Sequence, residues 1–258
     1  MSGTARLFVD PASWAAAKDA GEVTLGEAQE RYLCRVLRLG VGDRVVLFDG
    51  QGNEAEAEIA GLGAHRVALR VLGLREGRRG VGPEMVLLQA LAKGDRFDLV
   101  VQKTTELGIR RIVPMTTTRT VERLAGDRAA QRRERWCRIA QEASRQCGRA
   151  DVPEILPVMT FGEALQTVRL EGVRLLLWEG MAGGGQGLGR LLREKAGEAP
   201  GQVVMAVGPE GGFTEAEVAE ATAVGFCAVG LGPRVLRTET AALAALAILG
   251  FVLGDLGD

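Results

Sequence analysis

Histidine is almost missing from this chain: among 258 residues there is one, His65, beside one tyrosine, four lysines and four cysteines. Cys34, Cys137, Cys147 and Cys227 stand far apart and form no C-x-x-C pair, which excludes zinc fingers. A single imidazole excludes HExxH metalloproteases and any mechanism that needs two histidines. No metal site and no disulfide framework is expected, and sparse thiols fit a reduced, cytoplasmic compartment. No stretch reaches the roughly 18 apolar residues of a membrane span, and Met1 to Pro11 lacks the charged and apolar regions of a signal peptide. Neither membrane insertion nor secretion is therefore expected. The longest apolar run, Thr240 to Leu253, is Ala-rich and short, a buried helix or a subunit interface. Nucleotide fingerprints are also missing. No G-x-G-x-x-G occurs even in the Gly183 to Gly189 tract, and none of Lys18, Lys93, Lys103 and Lys195 closes a Walker A loop.

What is present is the composition of a folded chain, 47% apolar and 25% charged. A formal net charge of −1 conceals an asymmetry. Residues 1–80 balance 11 basic against 11 acidic side chains, residues 93–150 carry 14 against 7, and residues 151–258 carry 7 against 14. Of the 32 basic residues 28 are Arg, whose planar fork suits phosphate oxygens. The basic segment reads either as a polyanion contact or as a solvated helix face laced with i,i+4 pairs.

From Arg6 to Leu74, short apolar runs (Leu7 to Val9, Val45 to Phe48, Ala55 to Ile59, Val67 to Leu72) alternate with turns such as Asp49-Gly50-Gln51-Gly52, the pattern of a small β-barrel or curled sheet with one helix around Gly26 to Leu37. Arg75 to Pro83 is Gly- and Arg-rich without apolar period and marks a linker. Domains are thus expected at 1–74 and 85–258, joined by 75–84. Beyond Glu84 apolar runs alternate with helical patterns at Asp95 to Leu107, Ala129 to Cys147, Glu215 to Val224 and the C-terminus, predicting an α/β fold with a mostly parallel sheet. Ligands of such sheets lie beyond the carboxyl ends of the strands. Three loops occupy those places: Trp178-Glu179-Gly180, Gly208 to Thr214, and Leu231 to Thr240. In the second, Thr214 and Glu217 form a capping-box pattern. The glycines read equally as tight turns or as backbone brought close to a ligand.

At these residues the chain resembles the RsmE family of 16S ribosomal RNA (uridine-N3) methyltransferases, in the SPOUT superfamily. The resemblance rests on Val207-Gly208-Pro209-Glu210-Gly211-Gly212-Phe213-Thr214 and Leu231-Gly232-Pro233-Arg234-Val235-Leu236-Arg237-Thr238-Glu239-Thr240-Ala241. It extends upstream through Ala92 to Asp95, Gln102 to Gly108, Pro114, Arg119, Arg135-Trp136, Glu142 to Arg149 and Pro153, and to Arg6 to Val9 and Val36-Leu37-Arg38 with Gly42-Asp43. Tyr32 stands where the family usually has His, and Cys147 where Ser is common.

The resemblance implies an N-terminal PUA-like β-barrel that binds RNA, and a C-terminal SPOUT α/β domain with a deep trefoil knot. It implies S-adenosylmethionine as cofactor, a homodimer, and 16S rRNA or the 30S subunit as partner, the target being a uridine of the decoding region. Leu177, Trp178, Glu179, Gly208, Pro209, Glu210, Gly211, Gly212, Leu231, Gly232 and Leu236 are then the expected cofactor pocket, with core packing as the alternative for Trp178 and Leu236. Backbone N–H and C=O groups at adjacent strand ends can read an adenine edge without a dedicated side chain.

Methyl transfer to uridine N3 requires loss of the imide proton, so a base or a group stabilising the uridylate is needed. Arg237, with Arg234 in reserve, is expected to stabilise negative charge on O2 or O4. Glu239 is expected to accept the proton or to orient the arginine, unless it is an early-turn residue favoured by the helix dipole. His65, in the accessory domain, is a poor candidate. Lys93, Lys103, Arg119, Arg145 and Arg149 of the basic segment, with Arg6 and Arg38, are the expected RNA-phosphate contacts, each with a surface ion pair as the alternative. A non-catalytic RNA-binding or ribosome-assembly protein, with the Gly-rich loops serving only as turns, and a SPOUT tRNA methyltransferase are the competing readings.

Overall fold

The computed structural model describes residues 4–77, 80, 82–122, 124, 126–168, 172–181, 187–194 and 200–257. Part of the expected linker (78, 79 and 81) and of the Gly-rich tract (183–186), together with Lys195, lies outside the described residues. The chain forms two compact units, residues 1–79 with 141–152, and residues 80–140 with 153–258.

The first unit is a five-stranded sheet of hydrogen-bonded order β1-β3-β4-β5-β2. Its strands are β1 (Ala5–Phe8), β2 (Glu22–Leu25), β3 (Arg44–Phe48), β4 (Asn53–Gly63) and β5 (Arg66–Glu76). Alternate residues of β4 and β5 (Ala55, Ala57, Ile59, Val67, Leu69) are buried with Leu7, Leu33 and Leu47, as expected of strands with one face on a core. Helix α1 (Pro11–Ala20) and strand β2 were not marked by the apolar pattern, though the helix carries local signals. Asp10 caps the helix by accepting from the Ala12 and Ser13 amides, and Pro11 is its first residue. The expected helix at Gly26 to Leu37 is a short α2 (Glu27–Glu30) running into a π-helical turn, Arg31–Val36. His65 sits exposed in the β4–β5 turn.

Two details differ from the sequence expectation at the domain boundary. Strand β5 continues through Arg75 and Glu76, because Arg75 pairs with Glu54 and Glu56 of β4. Residues 141–152 group with the first unit, where Gly52 donates to Ala150 O and Val152 donates to Gly50 O.

The second unit holds a sheet of order β12-β10-β11-β6-β7-β8, with β9 also on β7. These strands are β6 (Glu84–Ala90), β7 (Arg111–Thr116), β8 (Glu154–Ile155), β9 (Met159–Thr160), β10 (Val173–Leu177), β11 (Gln202–Val207) and β12 (Cys227–Val229). Every pairing is parallel, so the unit is α/β as the alternation predicts. The helices are α3 (Arg96–Glu106), α4 (Gly126–Cys147), whose residues from 141 on group with the first unit, α5 (Phe161–Gln166), α6 (Leu188–Glu194), α7 (Glu215–Ala223) and α8 (Thr238–Val252). β11 is buried along its whole length, hence its unbroken apolar run. The Thr214–Glu217 capping box forms at α7 as expected, and a second, Thr160 with Glu163, starts α5.

Candidate active site

β10 lies between β12 and β11, so parallel pairing delivers their three carboxyl ends side by side. The loops that follow enclose a cavity of about 240 Å³. Its walls include Leu177, Trp178 and Glu179 after β10, Gly208, Pro209, Glu210 and Gly212 after β11, and Leu231, Gly232, Arg234, Leu236 and Arg237 after β12. Of the residues expected in a cofactor pocket, all but Gly211 line it. A Cβ on Gly211 would meet the Arg119 side chain, whereas Gly212 has φ +68° and a Cβ there would run into the Glu179 carboxylate. The glycine lining the cavity is therefore Gly212, while Gly211 faces Arg119. Trp178 does both things expected of it, lining the cavity and packing on the core of the unit.

The backbone N–H groups of Leu231, Gly232, Arg234, Val235, Leu236 and Arg237 make no backbone hydrogen bond to another described residue. Unspent donors along a cavity wall are what a heteroaromatic edge can use. Apolar walls from Leu177, Val207, Val229 and Leu236, and a solvent-facing carboxylate at Glu179, complete a site suited to an adenosyl group that carries a positive charge. Arg237 is the N-cap residue of α8, exposed, with its guanidinium bound to no other described side chain. Glu239 is different. It sits in the first turn of α8, buried, outside the cavity wall, with Oε2 lacking a hydrogen-bond partner. The expected proton acceptor is thus set behind the cavity wall, one residue beyond Thr238, which does line it.

The loop after β11 is held from three sides. Glu210 accepts from the Lys93 amide (3.1 Å) and from Arg96 Nη1 (2.8 Å). Arg119 Nη1 donates to Gly211 O (2.7 Å), and Thr238 Oγ1 donates to Gly208 O (2.6 Å). Glu217 also accepts from the Thr118 amide (2.7 Å). Arg96, Thr118 and Thr238 escaped the sequence reading as ligand-loop partners, because only the chain crossing from distant segments gives them that part. Burial pushes the Glu210 carboxyl upward, but the amides of Glu210 and Lys93 and the Arg96 guanidinium outweigh it and hold the group below the ordinary 4.5. A depressed folded value contributes stability above the ordinary value and loses it as pH falls through the lowered one. The stability difference between the wild type and Glu210→Gln, from urea midpoints, should be constant above about pH 5 and shrink below it. A difference that grows on acidification contradicts the pairing.

The expected phosphate contacts divide. Arg38 and Lys93 are exposed, with no side-chain partner among the described residues. Arg119 is exposed but tied to Gly211 O. Lys103 is paired with Glu106 at 2.8 Å. Arg145 is paired with Glu142 and lies 4.3 Å over the Tyr32 ring. Arg6 bonds Glu54 at 2.6 Å and Arg149 O at 3.1 Å, and Arg149, 8% exposed, bonds Asp151 at 2.6 Å. Arg6 and Arg149 thus bind partners inside the first unit, and Arg6 Nε is buried without a hydrogen-bond partner. Of the two family departures, Tyr32 is the platform under Arg145, and Cys147 is exposed at the end of α4.

No helix of the described residues is long and apolar enough to cross a membrane, and among them no group of three or more His, Cys, Asp or Glu is placed to hold a metal.

An RNA methyltransferase domain profile matches residues 82–250, and an RNA methyltransferase PUA domain profile matches residues 25–72. Ribosomal RNA small subunit methyltransferase E of Bacillus subtilis is 30% identical over 234 residues, 91% of either chain. Its namesake from Synechocystis is 36% identical over 231 residues, 90% of this chain and 73% of the relative. Among solved structures, ribosomal RNA small subunit methyltransferase E from Neisseria gonorrhoeae, bound to S-adenosyl methionine, is 32% identical. It superimposes with a TM-score of 0.84 over 99% of this chain and 100% of that one. A putative methyltransferase from Legionella pneumophila, in complex with the bound cofactor SAM, gives 0.82 at 29% identity, over 96% and 98%. With both domains matched and relatives aligned along nearly its whole length, this chain belongs to the ribosomal RNA small subunit methyltransferase E family of RNA methyltransferases.

Proposed function

We propose that the protein methylates N3 of a uridine in small-subunit ribosomal RNA, in the cytoplasm, with S-adenosylmethionine held in the cavity at the ends of β10, β11 and β12. The observation that carries this reading is one wall: the Leu231 to Arg237 segment offers unspent backbone N–H groups to a cofactor and, at its end, an unpaired guanidinium to a substrate. When bound, adenosylmethionine supplies an electrophilic methyl group on a sulfonium. Leu177, Trp178, Leu231 and Leu236 cover its apolar parts, and Glu179 faces its charge. Arg237 stabilises the negative charge that spreads onto O2 and O4 as the imide proton leaves. Arg38 and Lys93 supply phosphate contacts, with the second unit the catalytic domain, its C-terminal chain knotted as the resemblance implies, and the first unit an RNA-binding domain.

The test is nucleoside mass spectrometry after incubation with adenosylmethionine and either naked 16S RNA or 30S particles. 3-Methyluridine in one of them is expected. Its appearance only in transfer RNA, or no methylation of any RNA, overturns the proposal. A second expectation concerns the loop. Gly212→Val must adopt a left-handed backbone with a β-branched side chain against Glu179, so adenosylmethionine affinity by calorimetry should fall about tenfold or more. Gly211→Val, which faces Arg119, should lose less; the reverse order would remove Gly212 from the pocket.

The reading includes a homodimer. Ile248, Phe251 and Val252 form an apolar stripe on α8 that the single chain leaves exposed, Phe251 at 70%, and such a stripe suits a second copy. Sedimentation equilibrium should give a dimer for the wild type and a monomer for Phe251→Glu at micromolar concentration. A monomeric wild type refutes it.

A further inference from the structure

Gln89 is the one polar residue in the buried run of β6 and is fully inaccessible. It stands beside Val207, the last residue of β11. A leucine would fill the space without the cost of desolvating an amide. Its Nε2 donates to Ala90 O at 3.1 Å and to Thr238 Oγ1 at 2.9 Å, while its Oε1 has no partner. Because an amide nitrogen only donates, the Thr238 hydroxyl must accept from it, leaving its proton for Gly208 O at 2.6 Å. The residue after Gly208 is proline, so the 208–209 peptide has no N–H and its carbonyl is the one backbone handle on its orientation. Gly208, Pro209 and Thr238 all line the cavity, and Gln89 does not.

We propose that Gln89 is a positioning residue for the cofactor: it fixes the direction of the Thr238 hydroxyl, which anchors the Gly208 carbonyl and sets the loop that carries Pro209 to Gly212. This rests on the cavity being the adenosylmethionine site. The chain of hydrogen bonds links residues 149 and 30 positions apart, tying the start of α8 and the end of β11 to a central strand. A loop so anchored reaches the ligand already ordered, and affinity gains by the ordering cost that is avoided.

Calorimetric titration with adenosylmethionine of Gln89→Leu, Thr238→Val, the double variant and Thr238→Ser tests it, beside amide hydrogen exchange of Glu210 to Gly212 without ligand. Gln89→Leu and Thr238→Val should each weaken binding about tenfold, the size expected when a buried hydrogen bond is broken. The double variant should be no weaker than the weaker single one, because both act through one chain of bonds. Thr238→Ser should stay within about threefold of wild type, and the loop amides should exchange faster in the two damaging variants. If Gln89→Leu does not fold, the contrast between Thr238→Val and Thr238→Ser decides. Wild-type affinity in both single variants, or additive losses in the double, overturns the proposal. A wild type that does not bind adenosylmethionine overturns the cavity reading instead, and loop exchange then still decides whether Gln89 positions this loop.

Discussion

Arg237→Ala should slow methyl transfer about a hundredfold while leaving adenosylmethionine affinity within a few-fold of wild type. The reason is differential: a guanidinium aimed at uridine oxygens interacts more strongly with a uridylate-like transition state than with neutral uridine. The structure sharpens the choice between this role and that of an ion pair holding the loop, since Arg237 is exposed on the cavity wall and bound to no described carboxylate. A loop-holding arginine would, on removal, weaken cofactor binding and lower the melting temperature. Under the proposed function, with Glu239 buried outside the cavity wall, release of the imide proton to solvent is the expectation: the rate should rise with pH below the uridine N3 value, and the variant should depend more on added base. Single-turnover kinetics at saturating cofactor and RNA decide it. A variant rate near wild type there ends the catalytic assignment.

Arg149→Ala should destabilise the protein by about 3–5 kcal/mol, the cost of leaving one member of a buried ion pair without its partner. Arg149 and Asp151 are 8% and 3% exposed, bonded at 2.6 Å, and Arg149 O also accepts from Arg6. Removing the guanidinium takes away the ion pair of a buried carboxylate whose backbone bridges Gly50 and Gln51. Urea unfolding should show the lower midpoint. RNA affinity of the folded fraction should keep its salt dependence, because a spent arginine releases no counterion. Loss of about one unit of salt slope with unchanged stability would return Arg149 to the RNA surface. Substituting Arg38 or Lys93 should instead lower the slope without moving the midpoint.

The places of the strands and the three loops were legible in the residues because the signals are local. Short apolar runs followed by Gly or Trp mark parallel strand ends, and Thr214 with Glu217 marks a helix start within four positions. Helix α1 was not read, because the Asp10 and Pro11 signals stand before an Ala-rich stretch without apolar period. What local signals do not carry is the partner of a charged or polar side chain. Arg6 finds Glu54 and Arg149, Glu210 finds Lys93 and Arg96 more than a hundred positions away, and Gln89 finds Thr238. Composition therefore marked a basic segment without separating its free arginines from its buried ones. It also marked a Gly-Gly pair without showing which member faces the cavity. The sequence by itself determined the α/β order, the strand ends that form the site and the residue types lining it, since backbone propensity and apolar period act over a few residues. Only the tertiary structure decided which groups are spent inside the fold and which remain for cofactor and RNA, because hydrogen bonds and ion pairs form between whatever the chain crossing brings within about 3 Å.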